Sequence, residues 1–105
     1  MIVHRAAHHT VIEVDGHLGL VAAHDLRRAY AGAERDGGSA ITMDLSRVAA
    51  ADPEGIAALD WCVRQAVATG TTLTWSTCSR PLAASIDAEV RAGRARRQSL
   101  AAVSA

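Results

Sequence analysis

The period at which apolar residues recur changes along the chain, and each change marks an element. Thr10 to Asp15 alternates with a period of two, Val11 and Glu13 on one side and Ile12 and Val14 on the other, as in a half-buried strand. Met1 to Ala7 reads as a shorter strand before it, with His8-His9 at the connection. Asp15-Gly16 signals a turn and Gly19 a second flexible point. From about Leu20 the period lengthens. Ala22, Leu26, Ala29, Tyr30 and Ala33 recur at offsets of 4, 7, 8 and 11, one face of a helix. Asp36-Gly37-Gly38-Ser39 ends it.

Ala40 to Leu45 is apolar on both faces, as expected of an interior strand covered by helices. After Ser46-Arg47-Val48 and a run of Ala, Asp52-Pro53-Glu54 opens a second helix in a favourable order. Asp can cap the free N–H groups, Pro fits the first helical position, and Glu complements the positive end of the dipole. Ile56, Leu59, Val63, Ala66 and Val67 make the expected buried stripe. Glu54, Ala58, Trp61 and Gln65 fall on a separate stripe, read as exposed, with Trp61 either an interface anchor or covered by the loop or the C-terminal segment. Thr69-Gly70 stops this helix, and Thr71 to Trp75 is a β-rich run. Ser79-Arg80-Pro81 starts a third helix that carries Leu82, Ile86 and Val90. Arg94 to Ala105, rich in Ala and Arg, forms a last short helix or a tail.

The order β-β-α-β-α-β-α implies an α/β fold: one domain over residues 1–93, then the segment 94–105. Strand–helix–strand alternation calls for parallel pairing with right-handed crossovers, the first two strands pairing differently at one edge. The expected architecture is a mixed, mostly parallel sheet of about four strands with three to four helices.

Composition changes this picture only at its margins. At 105 residues, half of them apolar, the chain can bury a core without staples. It lacks Phe, so that core should be aliphatic. Eleven basic and eleven acidic residues balance, which argues against direct nucleic-acid binding. The one basic run, Arg91 to Arg97, reads as a solvated helix end or tail. Cys62 and Cys78 show no metal or redox spacing and read as free core thiols. MIVHRAAHH has no apolar signal core, and no apolar run is long enough to span a bilayer, so the expected location is cytoplasmic, without membrane insertion.

Candidate chemistry is sparse. His8 and His9 are adjacent and point to opposite faces of a strand. His17 and His24 lack an acidic or Cys partner at ligand spacing, so no metal site is expected. Ser46, Ser76, Ser79 and Ser85 have no nucleophile-elbow context, and the Gly16/Gly19 pair forms no dinucleotide fingerprint. Asp44 and Asp52 flank one loop; strand-end and capping roles explain them more simply than a carboxylate pair. No catalytic residue, cofactor or metal is expected.

The stretch Ile41 to Gly55, a strand ending Asp-Leu-Ser followed by a loop and Asp-x-x-Gly at a helix start, resembles the STAS domain of bacterial anti-sigma factor antagonists and sulfate transporters. Val14-Asp15-Gly16-His17-Leu18 is similar to that family's G-E-L-D turn, Leu26 to a Leu of its first helix, and Ala66 to Leu73 (AVATGTTL) to its A-x-x-x-G-x-x-L segment. Arg80-Pro81-Leu82 opens the next helix. In regulatory members the loop reads Asp-Ser-Ser-Gly, and an anti-sigma factor kinase phosphorylates the second Ser. Here Asp52 and Gly55 match, Glu54 takes the phosphorylated position, and Gly19 replaces the family Asp of the earlier turn.

The resemblance implies a non-enzymatic domain that binds an anti-sigma factor or related regulator through Asp52, Pro53, Glu54, Gly55, Ala58 and Trp61, without a phosphoswitch at residue 54. The other reading is a STAS subunit of an ABC-type lipid-transport complex that supports its ATPase. Homodimerisation is left open. Glu54 itself is also accounted for as an ordinary first-turn carboxylate.

Overall fold

The computed structural model describes residues 1–37, 40–76 and 78–104, and their side chains as far as residue 92. The elements are β1 (Ile2–Ala6), β2 (His9–Leu18), α1 (Leu20–Arg35), β3 (Ala40–Ala51), α2 (Pro53–Thr69), β4 (Thr72–Trp75) and α3 (Arg80–Ser104). The predicted order holds up to α3, which runs unbroken through Gly93 where a separate last helix or tail was expected. Gly38 and Ser39 of the first helix stop lie outside the described residues, as do the side chains of the basic run beyond Arg91 and of the Ala/Arg-rich end.

The four strands lie in sequence order, β1-β2-β3-β4. β1 pairs antiparallel with β2, and β2–β3 and β3–β4 are parallel. Because both crossovers step in the same direction, right-handedness puts their helices on one face of the sheet. The core confirms it: Ile12, Val14, Ile41, Met43 and Leu45 from the sheet join Leu26, Ala58, Cys62 and Leu82 from the three helices in one buried cluster. The expectation that helices cover both faces of β3 is therefore corrected. Thr42 and Asp44, on the other face, are half-exposed. That open face is polar, with His9 Nε2 2.7 Å from Thr42 Oγ1 and His4 Nε2 3.3 Å from Glu13 Oε1.

Two strands run well past their expected ends. Asp15-Gly16 makes no turn; β2 continues through it to Leu18, with register shifts between Glu13 and Asp15 and between Gly16 and His17. At each shift β3 carries one extra residue opposite β2, and Gly16 of β2, between the two shifts, takes a left-handed backbone at φ 70°. β3 likewise takes in Ser46-Arg47-Val48 and the Ala run, reaching Ala51. The prolonged strands bring their C-terminal ends to one place, where α1 and α2 begin.

The core is mostly aliphatic, but its largest side chain is Tyr30, fully buried on α1 and packed edge-on against Trp61 at 5.9 Å between ring centroids. The α1 face predicted from spacing is the observed one, with Ala23 added. On α2 the face is rotated. Gly55, Ala58, Leu59, Cys62 and Ala66 are buried, whereas Val63 is 39% exposed and Val67 80%. At its first turn α2 comes so close to β2 that only a Gly fits. A Cβ on Gly55 would lie 2.1 Å from the Leu18 carbonyl oxygen.

Candidate partner-binding site

The C-terminal ends of the parallel strands β2 and β3 lie side by side, with Leu18 paired to Ala51 and the Asp52 N–H donating to the Leu18 carbonyl at 3.0 Å. Each strand passes directly into a helix: Gly19 is the N-cap residue of α1 and Asp52 that of α2. Two helix N-termini thus share one edge of the sheet, the edge where open α/β sheets place their ligands. Pro53 takes the first position of α2 and Glu54 lies in its first turn, both exposed. Glu54 forms no hydrogen bond or ion pair that competes for its carboxylate among the described residues, so its negative charge faces outward beside the positive end of the helix dipole.

Asp52 occupies the N-cap position with extended backbone (φ −88°, ψ 166°), but its carboxylate does not cap the helix. It turns instead to His17, with Oδ2 3.0 Å from Nε2. The expectation that Asp52 caps, and that His17 has no acidic partner, is corrected on both counts. The pairing spans thirty-five residues and becomes possible only when β2 and β3 end together. Gly19 makes room for it: a Cβ there would sit 3.0 Å from His17 Cδ2 and 3.2 Å from Asp52 Oδ2. Both partners are about half exposed, so the pair contributes at most about 1 kcal/mol to stability. Its effect is on the shape and charge of the surface.

Of the residues singled out from the sequence, Asp52, Pro53 and Glu54 are gathered at this edge, with Gly55 buried beneath them as their seat. Ala58 is fully buried and leaves the surface. Trp61 is half-buried, its ring committed to Tyr30 and the core, so the exposed-anchor reading is corrected too. His17 is the surface residue that sequence reasoning passed over; its position in the Gly16-His17-Leu18 stretch was visible, but its partner was not.

Asp44 and Asp52 do not form a carboxylate pair. Asp44 accepts hydrogen bonds from the Ser46 hydroxyl (2.6 Å), the Ser46 N–H (3.1 Å) and the Ser76 hydroxyl (3.1 Å), which lower its pKa. It knots β3 to the segment after β4. Burial pushes the Cys62 thiol up to about 12 and raises the Tyr30 hydroxyl as well, aided there by the nearby Glu34 carboxylate. Neither group is poised for chemistry at neutral pH. Among the described residues no group of three or more His, Cys, Asp or Glu could hold a metal ion, and no helix is long and apolar enough to cross a membrane.

The rotation of α2 exposes a second feature. An apolar groove of about 510 Å³ opens between α2 and α3 over β4, lined by Ile56, Val63, Trp75, Ile86 and Val90 among others.

The family described as "Mlab, STAS domain" matches residues 1–89. Among solved structures, one titled Mglu superposes with a TM-score of 0.68 at 22% identity, over 77% of this chain and 20% of that one. The anti-sigma factor antagonist SpoIIAA in its unphosphorylated form gives 0.61 at 17% identity, over 70% of this chain and 69% of its own. An anti-sigma factor antagonist from Mycobacterium paratuberculosis gives 0.60 at 23% identity, over 70% of this chain and 62% of its own. The chain thus spans about a fifth of the length of Mglu and about two thirds of the two antagonists. No curated protein matches it in sequence.

Proposed function

The chain belongs to the STAS family described as Mlab, STAS domain, and from that premise we propose that it is a non-enzymatic regulatory domain that binds an anti-sigma factor or a related regulator. The working surface is the shared entrance of α1 and α2, formed by Asp52, Pro53 and Glu54 with His17 beside them. The observation that carries this reading is the placement of Glu54. It stands exposed in the first turn of α2, where regulatory members keep their phosphorylatable Ser. A carboxylate carries one negative charge and a phosphoserine about 1.5 to 2, so Glu54 holds the entrance in a permanently anionic state. The partner is selected for that state, and no phosphorylation at residue 54 releases it.

A second reading is favoured by the same absence of a hydroxyl: a STAS subunit that supports the ATPase of an ABC-type lipid-transport complex needs no phosphoswitch. Affinity capture from a lysate of the source cells, with wild type, Glu54→Ser and Glu54→Gln as baits, separates these. The first reading expects an anti-sigma factor or related regulator on the wild type and at least about tenfold weaker capture by Glu54→Gln. Capture of a transporter ATPase supports the second. A regulator held equally by all three baits removes the role assigned to Glu54.

A further inference from the structure

The sheet has two edge strands, β1 and β4; β1 carries His4 and Arg5, whereas β4 is uncharged and its pattern is self-complementary. Ser76 donates its N–H to the Met43 carbonyl at 2.8 Å. By the two-residue alternation of a strand, Thr72 and Thr74 also turn their backbone groups toward β3. The N–H and C=O groups of Leu73 and Trp75 therefore point outward from the edge. Their side chains share the helix-covered side with their register partners Ile41 and Met43, both fully buried. Beside them lies a groove of about 200 Å³ lined by Val63, Ala66, Val67, Thr71, Leu73 and Trp75. It shares Val63 and Trp75 with the larger groove between α2 and α3.

We propose that β4 is a self-association edge, on which a second copy of this chain pairs antiparallel through its own β4. With the two-fold axis at Thr74, Leu73 lies opposite Trp75 of the second copy and Trp75 opposite its Leu73. All the outward backbone groups of these residues are then used, in the close bond-exchanging pairs of an antiparallel ladder. On the helix side, each Leu73–Trp75 pair extends the groove floor, and the Val63 and Val67 surfaces of the two α2 helices face one another across the axis. On the open side the two Thr74 side chains meet, a favourable cross-strand pair.

A two-fold contact brings each charge in the patch into the interface twice, close to its own copy when it lies near the axis, so charge decides whether the contact is tolerated. None occurs from Thr71 to Ser76, or at Val63, Ala66 and Val67. The nearest charge on α2, Arg64, is tied to Asp60 at 3.1 Å. Edges that must stay single usually carry charge, Pro or a bulge; β4 has none of these, only its shortness. An edge this short predicts a weak, concentration-dependent dimer that joins two four-stranded sheets into one.

Sedimentation velocity over a concentration series reaching the millimolar range tests this. Wild type is expected to shift from monomer to dimer. Thr74→Lys and Val67→Glu, both at exposed positions, are each expected to raise the dissociation constant at least about tenfold by placing like charges across the axis, with the far-UV circular dichroism unchanged. Amide exchange at Leu73 and Trp75 should slow as wild type is concentrated. A wild type that stays monomeric throughout overturns the proposal, as does a dimer that both substitutions leave intact.

Discussion

At the scale of single residues, Gly55 carries the tightest constraint. Its hydrogen faces the Leu18 carbonyl, where a methyl group would meet backbone at 2.1 Å. Backbone cannot swing aside as a flexible side chain can, so Gly55→Ala must push α2 off β2. The expected cost is about 1–3 kcal/mol or more, read as a lower urea midpoint with unchanged m-value. By contrast His17 and Asp52, both half-exposed, can be changed at small cost to stability. The sequence showed Gly55 only as a member of a loop motif. It could not show the contact, because Leu18 lies in a strand that was expected to have ended at Asp15.

At the scale of elements, α3 shows how one side chain can join three parts of the fold. The Ser79 hydroxyl accepts from the Leu82 N–H at 3.2 Å, which caps the helix, and donates to the Val48 carbonyl at 2.5 Å, while the Ser79 N–H bonds the Leu45 carbonyl. Ser79→Ala is expected to lower stability by about 1–2 kcal/mol, checked by chemical denaturation; Ser79→Thr, which keeps both the acceptor for the cap and the donor to Val48, should recover part of the loss. The start of α3 was legible from Ser-Arg-Pro alone, as were the order of elements, the face of α1 and the alternation of β2. The face of α2 was not. Of the stripe Ile56, Leu59, Val63, Ala66 and Val67, Leu59 and Ala66 are buried as expected, whereas Val63 and Val67 are exposed and Gly55, Ala58 and Cys62 take their place. The close approach of Gly55 to Leu18 and the packing of α2 on α1 favour these smaller residues, and packing prevailed.

At the scale of the whole molecule, the one-sided sheet leaves a single core, and the two thiols report on it from different depths. Cys62 is fully buried and its thiol pushed up to about 12, whereas Cys78 is half-buried at the rim of the large groove. Native protein should react with a disulfide reagent at Cys78 first. Cys62 should react only through opening of the core, with a rate that rises with denaturant in step with global unfolding. Equal native rates at the two thiols would mean that α2 opens on its own. The cysteine spacing excluded a metal or redox site, but only the fold distinguishes the two thiols.

The room left by Gly19 has a wider consequence. Where the resembling family has an Asp, this chain has no side chain at all, and His17 and Asp52 occupy the space. A carboxylate brought back at residue 19 would crowd that pair, and a hydroxyl brought back at residue 54 would stand beside an Asp52 already engaged. His17, Gly19 and Asp52 are therefore coupled sterically, with Glu54 two residues from Asp52 at the same entrance. A regulator adapted to this entrance would tolerate exchange of the whole set with a switching relative better than exchange of any one member.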